Sequence, residues 1–413
     1  MLEKIDLKNL DKSNWQTYKF EKIAQKISKT VKPDEANVDV YVGLEHLDAE
    51  DIHIRRKGVP SDVKGGKLRC YPGDIIFGKR RAYQRKAAIV DFEGICSAHA
   101  FVFRANPKVI DPKLFPFFLH SDQFMHRMVD ISVGGLSPTI NWGDLKNQEF
   151  LLPPKEQQAQ LAELLRAMDE VIERQNKVLQ ENRNLKDSVS HNLLLGKNII
   201  THKYQKSPYG DIPKGWKLVK LFELRDSKDR YSFTGGPFGS DLKSSHYTKE
   251  GVRVLQLQNI GEGEFLGDYS IYTSVEKANQ LLSCNIYPGE IILAKMAPVA
   301  RCCIIPDFDS RYVMSSDGIR LKVDTNQYDN KYVYHALNSI HFRRYAETKS
   351  TGSTRGRIGL SDLKALPIPI PCNISLQKEI AVKLDAIDKV SNNLESKISR
   401  SKALKKSLIN QVF

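Results

Sequence analysis

The chain has 413 residues, a length that suggests two or three domains, and 41% of them are apolar, enough for real cores. No apolar run approaches the roughly 18 residues of a membrane span, and the opening Met1-Leu2-Glu3-Lys4-Ile5-Asp6 lacks the apolar core of a signal peptide. The 63 basic against 49 acidic side chains give a net charge of +14 and a pI of about 9.3, which favours a polyanionic partner, nucleic acid before a membrane surface.

Residues 1–154 form a first domain of short strands and turns. Strands are predicted at Tyr41-Val42-Gly43-Leu44, Asp74-Ile75-Ile76-Phe77, Ala87-Ala88-Ile89-Val90 and Ala100-Phe101-Val102-Phe103, and a helix over Leu114–Val129. Pro153 and Pro154 close the domain. Residues 155–196 form a long helix without Gly or Pro until Gly196 supplies a stop. Its apolar residues follow a heptad seam: Leu161, Leu165, Met168, Ile172, Leu179, Leu185, Val189 and Leu193, interrupted by polar Gln175 and Asn182. Residues 197–372 hold a linker, read over 197–213, and a second domain opening at Trp216. Strands are predicted there at Val252-Arg253-Val254-Leu255, Glu290-Ile291-Ile292-Leu293, Cys303-Ile304-Ile305 and Ile319-Arg320-Leu321-Lys322. Pro367, Pro369 and Pro371 end this domain. Residues 373–413 form a second long helix with the seam Ile380, Leu384, Ile387, Leu394, Ile398, Leu404, Leu408 and Val412, and with polar Ser391 and Ser401.

The chain is written twice. Tyr71-Pro72-Gly73-Asp74-Ile75-Ile76 returns as Tyr287-Pro288-Gly289-Glu290-Ile291-Ile292, and Asp144-Leu145-Lys146 as Asp362-Leu363-Lys364. The helical stretches align at a shift of 219, which brings Asn182 onto Ser401. The fold class that follows is α+β: two similar globular domains joined by two long helices in an antiparallel coiled coil, with pseudo-two-fold symmetry. Each helix of about 40 residues spans roughly 60 Å, too long to pack only on its own domain.

Catalytic signatures are missing. The chain has no Asn/Asp-Pro-Pro-aromatic tetrapeptide, no G-x-x-x-x-G-K-[ST] loop and no H-E-x-x-H. Acid-x-Lys triplets occur at Asp144, Asp241 and Asp362, but so short a pattern arises by chance in a lysine-rich chain. The six cysteines (Cys70, Cys96, Cys284, Cys302, Cys303, Cys372) form no C-x-x-C pair and read as reduced thiols of a cytoplasmic protein with no metal site.

DNA-reading features are present instead. Lys79, Arg80, Arg81, Tyr83, Gln84, Arg85 and Lys86 crowd a loop between two predicted strands; arginine suits guanine, glutamine adenine and lysine phosphates. The matching loop of the second domain, 294–301, offers Lys295 and Arg301 in different surroundings. A second loop, Gly134-Gly135-Leu136-Ser137-Pro138-Thr139-Ile140-Asn141-Trp142, presents Ser137, Thr139 and Asn141, and its counterpart presents Thr351, Ser353, Thr354, Arg355 and Arg357. Thr234-Gly235-Gly236-Pro237-Phe238-Gly239-Ser240 opens the second domain's first hairpin and adds Ser240 and, beyond it, Lys243. Gln256, Gln258 and Asn259 stand near a strand end, within reach of base edges or equally of core and edge packing.

Taken with the domain openings Trp15-Gln16 and Pro213-Lys214-Gly215-Trp216, the tracts Gly236-Pro237-Phe238-Gly239-Ser240 and Thr351-Gly352-Ser353-Thr354-Arg355, and the helix starts Lys155-Glu156-Gln157-Gln158 and Leu376-Gln377-Lys378-Glu379, the chain resembles a specificity (S) subunit of a type I restriction–modification system. The resemblance spans nearly the whole chain, although the first half has Gly134-Gly135-Leu136-Ser137 where the second has Thr-Gly-Ser-Thr. It implies a non-catalytic subunit whose two target recognition domains each read half of a bipartite, asymmetric site in double-stranded DNA, spaced by an antiparallel coiled coil. It further implies two methyltransferase (M) subunits docked on the scaffold, with two restriction (R) subunits able to join. No cofactor is expected on this chain; S-adenosylmethionine, ATP and Mg are expected on the partners, and no membrane is involved. The rival readings are a specificity module of a related phage-defence methylation system, a basic coiled-coil scaffold without sequence-specific DNA binding, and a nuclease or methyltransferase of unusual type.

Overall fold

The structure, a computed structural model, describes residues 10–197, 199, 203–352 and 356–413. The chain divides into two compact units, Met1–Val178 with Leu394–Phe413, and Leu179–Asn393. Each unit therefore holds one globular domain and a stretch of both long helices.

In the first unit, strand Gln16–Lys19 pairs antiparallel with Glu149–Leu152, so the domain's opening clasps its end. A four-stranded antiparallel sheet runs in the order Ala24–Ile27, Ala100–Ala105, Ile75–Gly78, Ala87–Ile89. A second sheet runs Thr30–Val31, Lys67–Cys70, Gly94–Cys96, Tyr41–Val42, its last pair parallel. The core is aromatic: Phe20, Phe77, Phe103, Phe118, Phe124 and Phe150 are almost fully buried, with Phe20 and Phe103 centroids 5.1 Å apart. The helix predicted over Leu114–Val129 is two, Phe115–Leu119 and Asp122–Asp130. The break is at Ser121, whose hydroxyl accepts from Phe124 N and starts the second helix.

The second unit repeats this plan. Trp216–Lys220 pairs with Pro367–Pro371, and one sheet runs Phe233–Gly235, Gly318–Leu321, Ile291–Ala294, Cys302–Ile304. The other is enlarged to Tyr247–Thr248, Ile271–Thr273, Val252–Leu255, Tyr312–Met314, Asn285–Ile286, again with one parallel pair. The three prolines do not merely end the domain but stand in its closing strand. They take every second position, where the backbone N–H is not needed for the ladder. Their carbonyls accept from Tyr209 and Tyr332 hydroxyls and the Gln377 amide. The stretch read as a linker contains a hairpin, Tyr204–Ser207 with Gly210–Pro213, turned at Gly210 with φ +107°. Its Pro and Gly made a tight turn look like a flexible connection.

The duplicated motifs have one structural explanation each. In Tyr-Pro-Gly-acid, Gly73 and Gly289 take φ of +88° and +82°. Buried Asp74 and Glu290 accept from the N–H of Tyr71 and Tyr287 and from the guanidinium of Arg104 and Arg320 on the neighbouring strand. Gln158 and Gln377 are both buried; each accepts from a loop N–H, of Asp111 and Asp329, and donates to the carbonyl of the proline closing its domain, Pro153 and Pro371. These glutamines fasten each long helix to its own domain.

The long helices span Lys155–Leu194 and Ile374–Val412 and pair antiparallel in each unit. In the first unit, Leu161 and Leu165 pack with Ile409 and Val412, and Asp169 meets Lys405 at 2.7 Å. In the second, Asn182 donates to Ser391 at 2.7 Å and Lys186 meets Asp388 at 2.5 Å. The seam differs from the expected one at two places. Leu185 and Leu404 are exposed, because a strict heptad places Lys186 and Lys405 in the seam instead. Lys405 with Asp169, and Lys186 with Asp388, are the same pair under the 219-residue repeat. Each Asp also faces a histidine of its own domain, His53 at 2.6 Å from Asp169 and His335 at 3.8 Å from Asp388. Burial pushes the Asp169 carboxyl up, yet the hydrogen bonds from His53 and Lys405 outweigh it and hold its pKa below the ordinary value. Among the described residues, no helix is long and apolar enough to cross a membrane.

Replacing Asp169 by Ala strands Lys405 in a buried seam and is expected to cost about 3 kcal/mol, whereas a paired Asp169→Leu, Lys405→Leu change should cost far less. Denaturant unfolding of the three proteins checks this; equal losses in the single and double variants would show that the pair is not electrostatically coupled.

Candidate nucleic-acid interface

The loop 79–86 leaves one central strand and returns in the next, so its ends are held by the sheet. Inside it, Arg81 and Arg85 adopt left-handed backbone (φ 56° and 52°) around a single turn, Ala82–Gln84, whose Ala82 is buried. The second candidate loop lies against it: Arg80 bridges Thr139, Arg81 N donates to Pro138 O at 2.7 Å, and Ile140 N donates to Lys79 O at 2.9 Å. The Arg81 guanidinium donates to Ser137 Oγ at 3.1 Å, and Thr139 donates to the Ser137 carbonyl. Arg80, Arg81, Tyr83 and Leu136 are exposed on the resulting surface, and exposed Asn141 beside it stands just before the short helix Trp142–Leu145 without a side-chain capping bond. Lys79 lies over the Phe101 ring at 5.2 Å, and burial, then Lys26, lowers its pKa.

The second unit builds the same frame. Met296 bridges Arg357, Thr351 bridges Arg357, and Ile358 N donates to Lys295 O at 2.9 Å. Ser353, Thr354 and Arg355 lie outside the described residues. Arg357 is exposed and reaches Asp317 at 3.2 Å. Exposed Ser240 ends the Gly236–Ser240 tract and exposed Lys243 lies just beyond it; the tract borders a polar cleft of about 390 Å³ lined by Phe238, Gln256, Gln258 and Ser315–Asp317. Gly236 is required there, since any Cβ would overlap the Ser315 carbonyl.

Four of the expected contact cations turn inward. Arg85 pairs with Glu50 at 2.9 Å and Asp122 at 2.6 Å and donates to the His120 carbonyl. Lys86 donates to Leu44 O and Arg301 to Leu257 O, both at 2.7 Å, and Lys295 to Ser316 O at 2.8 Å. At loop exits, backbone carbonyls without ladder partners accept from these side chains, so the four brace the surface rather than project from it. Gln84 is half-buried. Asn259 is fully buried, bonding Leu266 and Tyr269 carbonyls, and is structural. The turn Ser315–Asp317 carried no motif that a sequence reading could single out. Among the described residues, no group of three or more His, Cys, Asp or Glu side chains could hold a metal ion.

The arrangement is two braced loop surfaces, each presenting arginine, hydroxyl and exposed aromatic or aliphatic groups on a chain of +14 charge. The family model described as "Type I restriction modification DNA specificity domain" matches residues 12–181 and 213–401. The chain is 26% identical over 377 residues to the putative type I restriction enzyme MjaX specificity subunit of Methanocaldococcus jannaschii, covering 89% of this chain and 84% of that protein. It is 24% identical over 278 residues to the MjaVIII specificity subunit of the same organism, covering 66% and 63%. A solved type I restriction–modification S subunit from M. genitalium shares the fold with a TM-score of 0.55 at 16% identity, with 98% of each chain covered. A chain from a structure of a type I R-M system gives 0.54 at 18%, with 97% of each covered. With its loop surfaces and its helix pair both duplicated, and matched by the family model in both halves, this chain belongs to the type I restriction–modification DNA specificity family.

Proposed function

We propose that the chain is the DNA-reading subunit of a type I restriction–modification complex, that it recognises a bipartite, asymmetric site in double-stranded DNA, and that it catalyses no step itself. The observation that carries this reading is one loop frame built twice with different tips. Arg80, Arg81 and Tyr83 stand on the first frame, and Arg357 with the Phe238 cleft belongs to the second. Two different surfaces on one chain read two different half-sites, separated by unread base pairs. The exposed arginines are suited to bidentate contact with guanine, and Ser240, Lys243, Thr139 and Ser137 to phosphates.

The partners follow from the two leucines left out of the seam. Val171 and Leu404 in the first unit are 48% and 55% exposed, and Val390 and Leu185 in the second repeat these values at the repeat-equivalent positions. This Val and Leu set recurs once per unit, whereas the other exposed apolar residues of the helices, Val178 and Val382, do not repeat, and a repeated apolar set fits one copy of a partner per unit. In this reading two methyltransferase subunits dock there, bringing S-adenosylmethionine, and restriction subunits with ATP and Mg join the methyltransferases.

Two outcomes are expected. Arg80→Ala with Arg81→Ala should weaken binding to variants of one half-site only, by about 1–3 kcal/mol per lost bidentate contact, whereas Arg85→Ala should lower the unfolding midpoint. Affinity should fall steeply with salt through counterion release. Titrations against duplexes altered in each half would show it; equal loss at both halves, or salt-insensitive binding, contradicts the proposal. Leu404→Lys should reduce the bound methyltransferases from two to one, and Leu185→Lys with Leu404→Lys to none. Mass measurement of the co-purified complex decides this, and an unchanged two-to-one complex in the double variant would refute the docking site.

A further inference from the structure

One turn occupies the same place in both frames and carries opposite chemistry. In each unit it follows the strand that pairs in parallel, Tyr41–Val42 or Val252–Leu255. Ser97 N donates to Val42 O and Ser315 N to Leu255 O, which sets Gly43 equivalent to Gln256 and Glu45 to Gln258. The turns close alike: Gly43 N donates to His46 Nδ1 at 3.1 Å, and Gln256 N to Asn259 Oδ1 at 2.9 Å. They are also braced alike. Lys86, at the exit of one reading loop, donates to Leu44 O, and its equivalent Arg301 donates to Leu257 O. The inward cations thus fasten each turn to the loop surface as a third reading element.

The side chains on these two turns differ in hydrogen-bonding sense. In the second unit, Gln258 Nε2 donates to Gln256 Oε1 and Gln256 Nε2 to the Tyr247 hydroxyl, both at 3.3 Å, which orients the Gln258 amide at the cleft mouth. An amide offers a donor beside an acceptor, the pattern that adenine N6 and N7 complement. In the first unit, the Glu45 carboxylate occupies the space a side chain at position 43 would need, so Gly43 makes room for it. A carboxylate offers acceptors only and repels phosphate; on an exposed turn braced into a cationic face it is suited to the exocyclic amino group of cytosine.

We propose that this turn is where the two faces discriminate base identity, Gln258 taking an adenine in one half-site and Glu45 the amino group of a cytosine in the other. The proposal rests on the DNA-reading function above. The test is selection of duplexes from a randomised pool by the purified full chain, comparing wild type with Glu45→Gln and Gln258→Glu. Glu45→Gln should move one position of one half-site from cytosine towards adenine, and Gln258→Glu should do the reverse in the other half. Each should lose its original base by about 10- to 100-fold. A shifted preference cannot come from a misfolded variant. If wild type yields a split motif that neither variant alters, or if either variant alters both halves or loses all binding, this assignment is overturned while DNA reading stands. If wild type selects no motif, the DNA-reading proposal fails and this one with it.

Discussion

Polar groups matched in pairs within a largely apolar helix seam, lysine with aspartate above all, are the constraint on which the rest of this chain depends. A strict heptad from Leu161 to Leu193 places Asn182 and Lys186 among the seam positions, and the repeat places Ser401 and Lys405 there. Polar groups at such positions cost stability, but they accept few partners. Lys405 is satisfied by Asp169 and Lys186 by Asp388, and Asn182 bonds Ser391. An all-leucine seam would tolerate slippage by a heptad or a parallel partner; one that must keep these polar pairs matched disfavours both. The same choice expels Leu185 and Leu404 to the surface, one in each unit.

Buried polar groups do comparable work where helix meets domain. Gln158 and Gln377 tie each helix to the strand that closes its domain, and the Asp74–Arg104 and Glu290–Arg320 pairs tie the Tyr-Pro-Gly turn to the sheet. These bonds are duplicated almost atom for atom. The residues that differ, Arg80 and Thr139 against Met296 and Arg357, and Glu45 against Gln258, all sit on loops braced from beneath. A rigid frame with variable tips is what sequence discrimination by shape and hydrogen bonding asks of a scaffold.

Much of this was legible in the sequence because it is repeated. The helix pair, the main strands, the two loops of each surface and the family resemblance all follow from matching tracts and heptad periodicity. Most departures from the expected pattern trace to a partner distant in sequence, while the hairpin of 204–213 and the break at Ser121 are local. Leu185 and Leu404 fitted an apolar seam until Lys186 and Lys405 found Asp388 and Asp169. Arg85, Lys86, Lys295 and Arg301 looked like contacts for DNA, but carbonyls and carboxylates elsewhere in the domain claim them. Ser121, whose side chain caps a new helix, broke a pattern that apolar spacing alone would have continued. For these four cations, Arg85, Lys86, Lys295 and Arg301, residue type gives the charge and only the fold gives the direction in which it points.

The central claim is that two unlike readers are carried by one duplicated scaffold. Long-read sequencing of methylation in a host that expresses this chain with the proposed methyltransferase partner tests it most directly. The account predicts a methylated motif split into two different half-sites around several unspecified base pairs. A single contiguous palindrome would contradict it.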